Sequence, residues 1–238
     1  MPESPSINIK IFADGADVES IIELSKEPWI AGFTTNPTLM RKAGVVEYED
    51  FARDILDQVG GRAISFEVIS DEFEDMRRQA HQLSSWGSNV FVKIPVTNTR
   101  RESANDLIRE LSREGVKLNV TAILSLRQVE SAAGALEESA GAIVSVFAGR
   151  IADAGQDPVP LMASARRVLA PFPAIELLWA SPREILNLCQ ASAVGCDIIT
   201  MTHDLLKKMS GLGRDLEEVS LDTVKMFYDD AKSAGFLL

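Results

Sequence analysis

Short runs of β-branched and aliphatic residues alternate along this chain with longer segments whose apolar residues recur at helical spacing. The runs predict strands at Ile7–Ala13, Ile30–Thr34, Ala63–Val68, Val90–Ile94, Leu118–Ala122, Ala142–Phe147, Ile175–Ala180 and Asp197–Thr200. The segments between them predict helices at Asp17–Ser25, Tyr48–Val59, Glu72–Ser84, Arg101–Arg113, Leu126–Ser139, Pro160–Leu169, Arg183–Ala193 and His203–Met209. Phe51, Ile55 and Val59 form one such helical stripe. Gly60-Gly61, Gly115 and Gly195 fall where helices should stop and strands begin. A last helical segment, Asp222–Ala234, carries Val224, Phe227 and Tyr228 as apolar anchors.

Repeated βα units in a chain of 238 residues predict the α/β class and a closed parallel (β/α)8 TIM barrel. An open doubly wound sheet would usually show a Gly-rich turn after its first strand. Here the first strand runs instead into Phe12-Ala13-Asp14-Gly15-Ala16-Asp17. No linker divides the sequence, so residues 1–238 are expected to form one domain. Residues 222–234 would be an extra C-terminal helix, on the barrel or at a subunit contact.

Composition narrows the partners. The net charge of −11 argues against nucleic acid, which needs a basic surface. No run approaches the apolar length of a membrane span. The first residues lack the basic and apolar regions of a signal peptide, so a cytoplasmic location is expected. Cys189 and Cys196 read as reduced core residues. With His81 and His203 they do not match a zinc-ligand spacing, and no metal site is expected.

In a barrel of this kind reactive groups lie at the C-terminal ends of strands. The first predicted strand ends near Asp14, and the second in Thr34-Thr35-Asn36-Pro37. Glu67 and Lys93 stand at the third and fourth ends, Asn119 and Thr121 at the fifth. Ser145, Phe147 and Arg150 follow at the sixth, Ser181 and Arg183 at the seventh. Polar groups recur there inside otherwise apolar stretches.

Lys93 sits in Phe91-Val92-Lys93-Ile94-Pro95. Strand alternation would turn Val92 and Ile94 toward the helices and Lys93 into the barrel. A buried ammonium is costly, and a neutral amine is what attacks a ketone to form an imine. The motif alone leaves a structural ion pair with Glu67 or Asp14 equally open. Lys10 would start its strand rather than end it, at the face that serves stability. Asp14 and Glu67 could supply the proton transfers of Schiff-base chemistry, although Asp14 could also cap a helix. Asn36 and Asn119 suit sugar hydroxyls, and Asn36-Pro37 also suits a turn. Arg150, Arg183 and Ser181 together could bind an oxyanion, whereas either arginine taken singly reads as a surface salt bridge. Trp179 reads as core rather than as a stacking platform.

These motifs together resemble the transaldolase family. Gly32-Phe33-Thr34-Thr35-Asn36-Pro37-Thr38-Leu39 looks like its signature after the second strand, and Val92-Lys93-Ile94-Pro95 like its active-lysine strand. Asn119-Val120-Thr121-Ala122 and Ser145-Val146-Phe147-Ala148-Gly149-Arg150 resemble its fifth and sixth strands. Trp179-Ala180-Ser181-Pro182-Arg183 resembles its Ala-Ser-Phe-Arg segment, with Pro182 in place of the aromatic.

The resemblance implies that Lys93 forms an imine with a ketose donor and that Asp14 moves the proton of the hydroxyl at the cleaved bond. Glu67 and Thr121 would hold a catalytic water. Asn36, Asn119 and Ser145 would hold the dihydroxyacetone unit, with Thr34 and Phe147 also lining the substrate site. Arg150, Ser181 and Arg183 would bind a terminal phosphate. No organic cofactor and no metal is implied. The family also contains fructose-6-phosphate aldolases, which usually carry Gln and Tyr where this chain has Glu67 and Phe147. That pairing favours transfer of dihydroxyacetone to an aldose phosphate over its free release. Pro182, beside the anion site, leaves open a variant anionic sugar such as a sulfosugar. Short members often assemble as pentamers or decamers through a C-terminal helix, so a homo-oligomer is expected.

Overall fold

The structure, a computed structural model, describes residues 7–136 and 141–236. Eight parallel strands close into a barrel in sequence order, which is the (β/α)8 fold. They are β1 (Lys10–Asp14), β2 (Ile30–Thr34), β3 (Ala63–Glu67), β4 (Val90–Pro95), β5 (Leu118–Ile123), β6 (Ala142–Val146), β7 (Ile175–Trp179) and β8 (Ile198–Thr202). The helices are α1 (Val18–Ser25), α2 (Pro37–Lys42), α3 (Tyr48–Gln58), α4 (Phe73–Ser85), α5 (Asn105–Arg113) and α6 (Leu126–Ala135). They continue with α7 (Ala148–Asp153), α8 (Val159–Leu169), α9 (Leu186–Ala193), α10 (His203–Lys207) and α11 (Leu216–Ala234).

The pattern-based reading places every strand within a few residues, and the departures have local causes. The first strand begins at Lys10 rather than Ile7. Lys10 is exposed at the strand start and ion-paired with Glu176 at 2.6 Å, as its position predicts. The helix expected from Arg101 begins only at Asn105, because the chain turns first: Thr97 bridges Ser103, and Arg101 takes φ 64°. Likewise α9 starts at Leu186 rather than Arg183. The end expected for the fifth predicted helix, Ser139, lies outside the described residues, and the corresponding α6 runs to Ala135. The short helices α2 and α7 are additions to the predicted set. The C-terminal helix begins at Leu216, six residues before the expected start, because Asp215 accepts from the backbone of Glu217 and Glu218 as its N-cap.

Alternation on the strands builds two cores. Phe12, Ile143, Leu178, Ala180 and Ile198 pack together inside the barrel, with Ala63, Phe91 and Phe147 against them. The opposite faces, including Phe33, Phe66, Val92, Ile94 and Trp179, pack against the helices. Trp179 is therefore core, fully buried, as expected. Both cysteines are free; Cys196 is buried but Cys189 is only half-buried, on the partly solvated side of α9. Among the described residues no helix is long and apolar enough to cross a membrane.

The interior layer constrains β2. A Cβ at Gly32 would lie 2.6 Å from the Phe12 ring and 2.8 Å from the Ala63 carbonyl oxygen. Gly32 thus makes room for the ring that fills the lower end of the barrel. Gly32→Ala should destabilise the protein by about 1–3 kcal/mol through overpacking. Urea unfolding checks this: a lower midpoint at unchanged slope is expected, and an unchanged midpoint would refute it.

Candidate active site

Above the apolar layer, the C-terminal ends of the strands open into a cavity of about 550 Å³. Its lining includes every residue expected to bind or react: Asp14, Thr34, Asn36, Glu67, Lys93, Asn119, Thr121, Ser145, Phe147, Arg150, Ser181 and Arg183. The residues come from different strand ends, so only the closed barrel brings them together.

Lys93 lies on the inward face of β4 and is 5% exposed. Its Nζ donates to the Thr35 carbonyl oxygen at 2.9 Å and is ion-paired with Glu67 Oε2 at 3.0 Å. The parallel register sets Glu67 beside Lys93 directly across the β3–β4 pair. Val92 and Ile94 point to the helices and are fully buried there.

Asp14 ends β1 on the same inner face. Thr34 Oγ1 donates to its Oδ1 at 2.7 Å, and Thr34 and Thr200 hydroxyls meet at 2.5 Å. With the Thr34 proton committed to Asp14, Thr200 is the donor of the second bond. The helix-capping alternative falls to Asp17, whose side chain accepts from Ser20 N. Burial pushes the Asp14 carboxyl above its ordinary value, against the opposing pull of Lys93 and of the Thr34 hydrogen bond.

A second chain of hydrogen bonds spans β3, β5 and β6. Ser145 Oγ donates to Asn119 Oδ1 at 2.6 Å, and Asn119 Nδ2 donates to Ser65 Oγ at 3.0 Å. This fixes the Asn119 amide orientation. Thr121 Oγ1 is buried with no protein partner, and Ala122 beside it takes φ 61°. Asn36 fulfils its turn-forming alternative as well: its Oδ1 caps α2, accepting from Leu39 N at 3.1 Å. Its amide nitrogen is not used by that cap.

The two arginines at the rim differ. Arg150 lies over the Phe147 ring, 5.5 Å from its centre. Arg183 is engaged by Asp153, with Nε 3.0 and 3.1 Å from the two carboxylate oxygens. That hydrogen-bonded pair raises the Arg183 pKa and lowers that of Asp153. The salt-bridge alternative is thus realised for Arg183, while its side chain still lines the cavity. Ser181 takes φ 62°, and Gly149 packs so closely that a Cβ there would overlap the Ser181 carbonyl oxygen.

The sequence spans the transaldolase/fructose-6-phosphate aldolase family over residues 11–238. The chain belongs to that family. A probable transaldolase of Methanococcus maripaludis strain S2 is 36% identical over 202 residues, covering 84% of this chain and 89% of the relative. A probable transaldolase of Nitrosopumilus maritimus is 32% identical over 227 residues, covering 94% and 97%. One from Dehalococcoides mccartyi is 33% identical over 202 residues, covering 84% and 90%. Among solved structures, dihydrodipicolinate synthase from Rhodopseudomonas palustris superposes with a TM-score of 0.54 at 15% identity, covering 90% of this chain and 79% of that one. At that identity the likeness shows the shared barrel and nothing of the chemistry. Family membership makes the protein an enzyme of the aldolase/transaldolase type.

Sequence reasoning missed several lining residues of this family member. Thr200 and Thr202 belong to the eighth strand end, where hydroxyls in an apolar run gave no signal. Lys42 and Thr38 reach the cavity from α2. Asp153 reaches Arg183 across 30 positions of sequence.

The raised Asp14 pKa has a consequence for stability. Folded Asp14 holds its proton more tightly than unfolded Asp14. Its contribution is therefore most favourable below the ordinary value of 3.8 and is lost as pH rises through the folded value. At pH 7, Asp14→Asn should be more stable than the parent, and the difference should vanish at acid pH. Thermal unfolding of both proteins across pH checks the sign; a less stable variant at pH 7 would contradict it.

Proposed function

We propose that the protein is a class I transaldolase that moves a dihydroxyacetone unit from a ketose phosphate to an aldose phosphate through an imine on Lys93. The observation that carries this reading is the placement of the Lys93 amine inside the cavity, 3.0 Å from Glu67 and facing Asp14, in a chain of this family. The alternative of a purely structural ion pair gives no account of a cavity of this size above the pair.

The lysine amine adds to the ketose carbonyl after giving up a proton, for which Glu67 is the acceptor in contact. Protonation of the carbinolamine hydroxyl expels water and leaves an iminium. A water held between Glu67 and the unpartnered Thr121 hydroxyl is the proton carrier for this step. Asp14 then takes the proton of the hydroxyl beside the scissile bond. The C–C bond breaks, the aldose phosphate leaves as an aldehyde, and the electron pair rests in an enamine on Lys93. The enamine adds to an acceptor aldehyde, Asp14 returns the proton to the new hydroxyl, and water releases the product ketose. Asn36, Asn119 and Ser145 hold the hydroxyls of the three-carbon unit, with Thr34 holding Asp14. Arg150, Ser181 and Arg183 receive the terminal anion. Arg183 then shares its fork between Asp153 and the phosphate.

Phe147 supports transfer over simple cleavage. Its ring lines the cavity under Arg150 and offers no hydroxyl to protonate the enamine. A site built around two arginines favours an anionic sugar, a phosphate or, with Pro182 beside it, a sulfonate.

The reading includes a homo-oligomer. None of the side chains of α11 is buried, and Leu221, Val224, Phe227 and Tyr228 are exposed along it. An apolar stripe about 10 Å long on this helix calls for another surface, and a second copy of the barrel supplies it, in a pentamer or decamer. The reaction needs no metal or organic cofactor, and the compartment is the cytoplasm.

Incubation with fructose 6-phosphate and erythrose 4-phosphate should yield sedoheptulose 7-phosphate and glyceraldehyde 3-phosphate. Without the acceptor, free dihydroxyacetone should form at less than about a tenth of that rate. Equal release would favour the aldolase alternative. Equal kcat/KM for phosphorylated and unphosphorylated ketoses would remove the anion site. Phe227→Asp should shift the assembly to smaller species in light scattering; an unchanged mass would place the contact elsewhere.

A further inference from the structure

The backbone of Glu67, whose carboxylate touches Lys93, is held from behind by a residue outside the cavity. β2 pairs with β3 only as far as Thr34 opposite Ser65, followed by one bond from Thr35 N to Ser65 O. The chain then turns through Asn36 into α2, whose first residue, Pro37, has no N–H to offer. Glu67 lies two residues beyond Ser65 on β3, so its backbone N–H and C=O face the same side, where β2 is no longer beside them.

Tyr48, the first residue of α3, fills that place. Its Oη donates to the Glu67 carbonyl oxygen at 2.9 Å and accepts from the Glu67 N–H at 2.9 Å. One phenol therefore supplies both the acceptor and the donor that two further positions of a continued β2 would have supplied in a parallel ladder. The ring is itself fixed edge-on against Phe66 (6.2 Å between centres) and Trp86 (6.0 Å), which also meet each other at 5.9 Å. Phe66 is the neighbour of Glu67 on the opposite face of the strand. Burial, and secondarily the nearby Glu67 charge, hold the phenol above its ordinary pKa. The clip thus stays protonated through the neutral range.

We propose that Tyr48 is a positioning residue for Glu67: its hydroxyl stands in for the missing edge of β2 and sets the carboxylate against Lys93. The inference rests on the proposed role of Glu67 in serving the Lys93 amine. Without the hydroxyl, the end of β3 loses both its backbone bonds on that side, and the 3.0 Å contact between Glu67 and Lys93 loses its anchor.

The test compares full-length parent, Tyr48→Phe, Glu67→Gln and the double variant in the transfer reaction. Tyr48→Phe should lower kcat about tenfold while KM stays within about twofold, because misplacement affects the chemical step more than binding. On the Glu67→Gln background the same change should lower the residual kcat by less than about twofold, since the two residues act as a unit. Equal factors on both backgrounds would overturn the proposal, as would a Tyr48→Phe kcat within about twofold of the parent. Amide hydrogen exchange on the intact parent gives an independent arm, valid also if a variant fails to fold or turn over. The Glu67 amide should be protected, and exchange as fast as an unbonded loop amide would overturn the proposal. A parent that shows no transfer but a protected Glu67 amide would sink the proposed reaction and leave the clip standing.

Discussion

A primary amine carried into the interior of a closed barrel sets the terms for everything around it. Lys93 arrives there because β4 alternates, and an amine so placed must find partners or carry a large desolvation cost. The Thr35 carbonyl and the Glu67 carboxylate meet it directly. The surrounding polar layer is organised in turn. Thr200 and Thr34 hold Asp14, Ser145 and Ser65 hold Asn119, and Tyr48 holds the backbone of Glu67. The apolar layer below, built on Phe12, Phe91, Ile143, Leu178 and Ile198, closes the other end of the barrel and leaves the cavity open to solvent on one face.

The arrangement separates two carboxylates by environment. Asp14 is penalised by burial and receives one hydroxyl donor, so its proton is held more tightly than usual. Glu67 is in contact with the amine itself. Two carboxyl groups in different surroundings around one lysine suit a reaction that must move protons at different oxygens in turn. The rim proposed to receive the anion is less committed: Arg183 is engaged by Asp153, and Arg150 leans on Phe147.

Much of this was legible in the chain. Short β-branched runs with helical segments between them gave the barrel, strand parity turned Lys93 inward, and the strand ends brought Asp14 and Glu67 to it. The contacts that escaped notice are those joining distant positions: Tyr48 to Glu67, Thr200 to Thr34 and Asp153 to Arg183. No local pattern encodes them, because they depend on how strand ends splay and helices return. The short helices α2 and α7 were hidden for a different reason. Asn36-Pro37 read as a turn, yet Pro37 suits a first helical turn, and Gly149 in α7 is required by the close approach of Ser181. The Asn36 turn signal and its place in the cavity proved compatible rather than rival, since one amide oxygen caps α2 and the rest of the side chain faces the site.

The central claim is that Lys93 carries the substrate covalently. Borohydride added to the protein together with fructose 6-phosphate, followed by peptide mass spectrometry, tests it most directly. The account predicts a reduced three-carbon adduct on Lys93. A three-carbon adduct on another residue, or none in a preparation that transfers dihydroxyacetone, would contradict it.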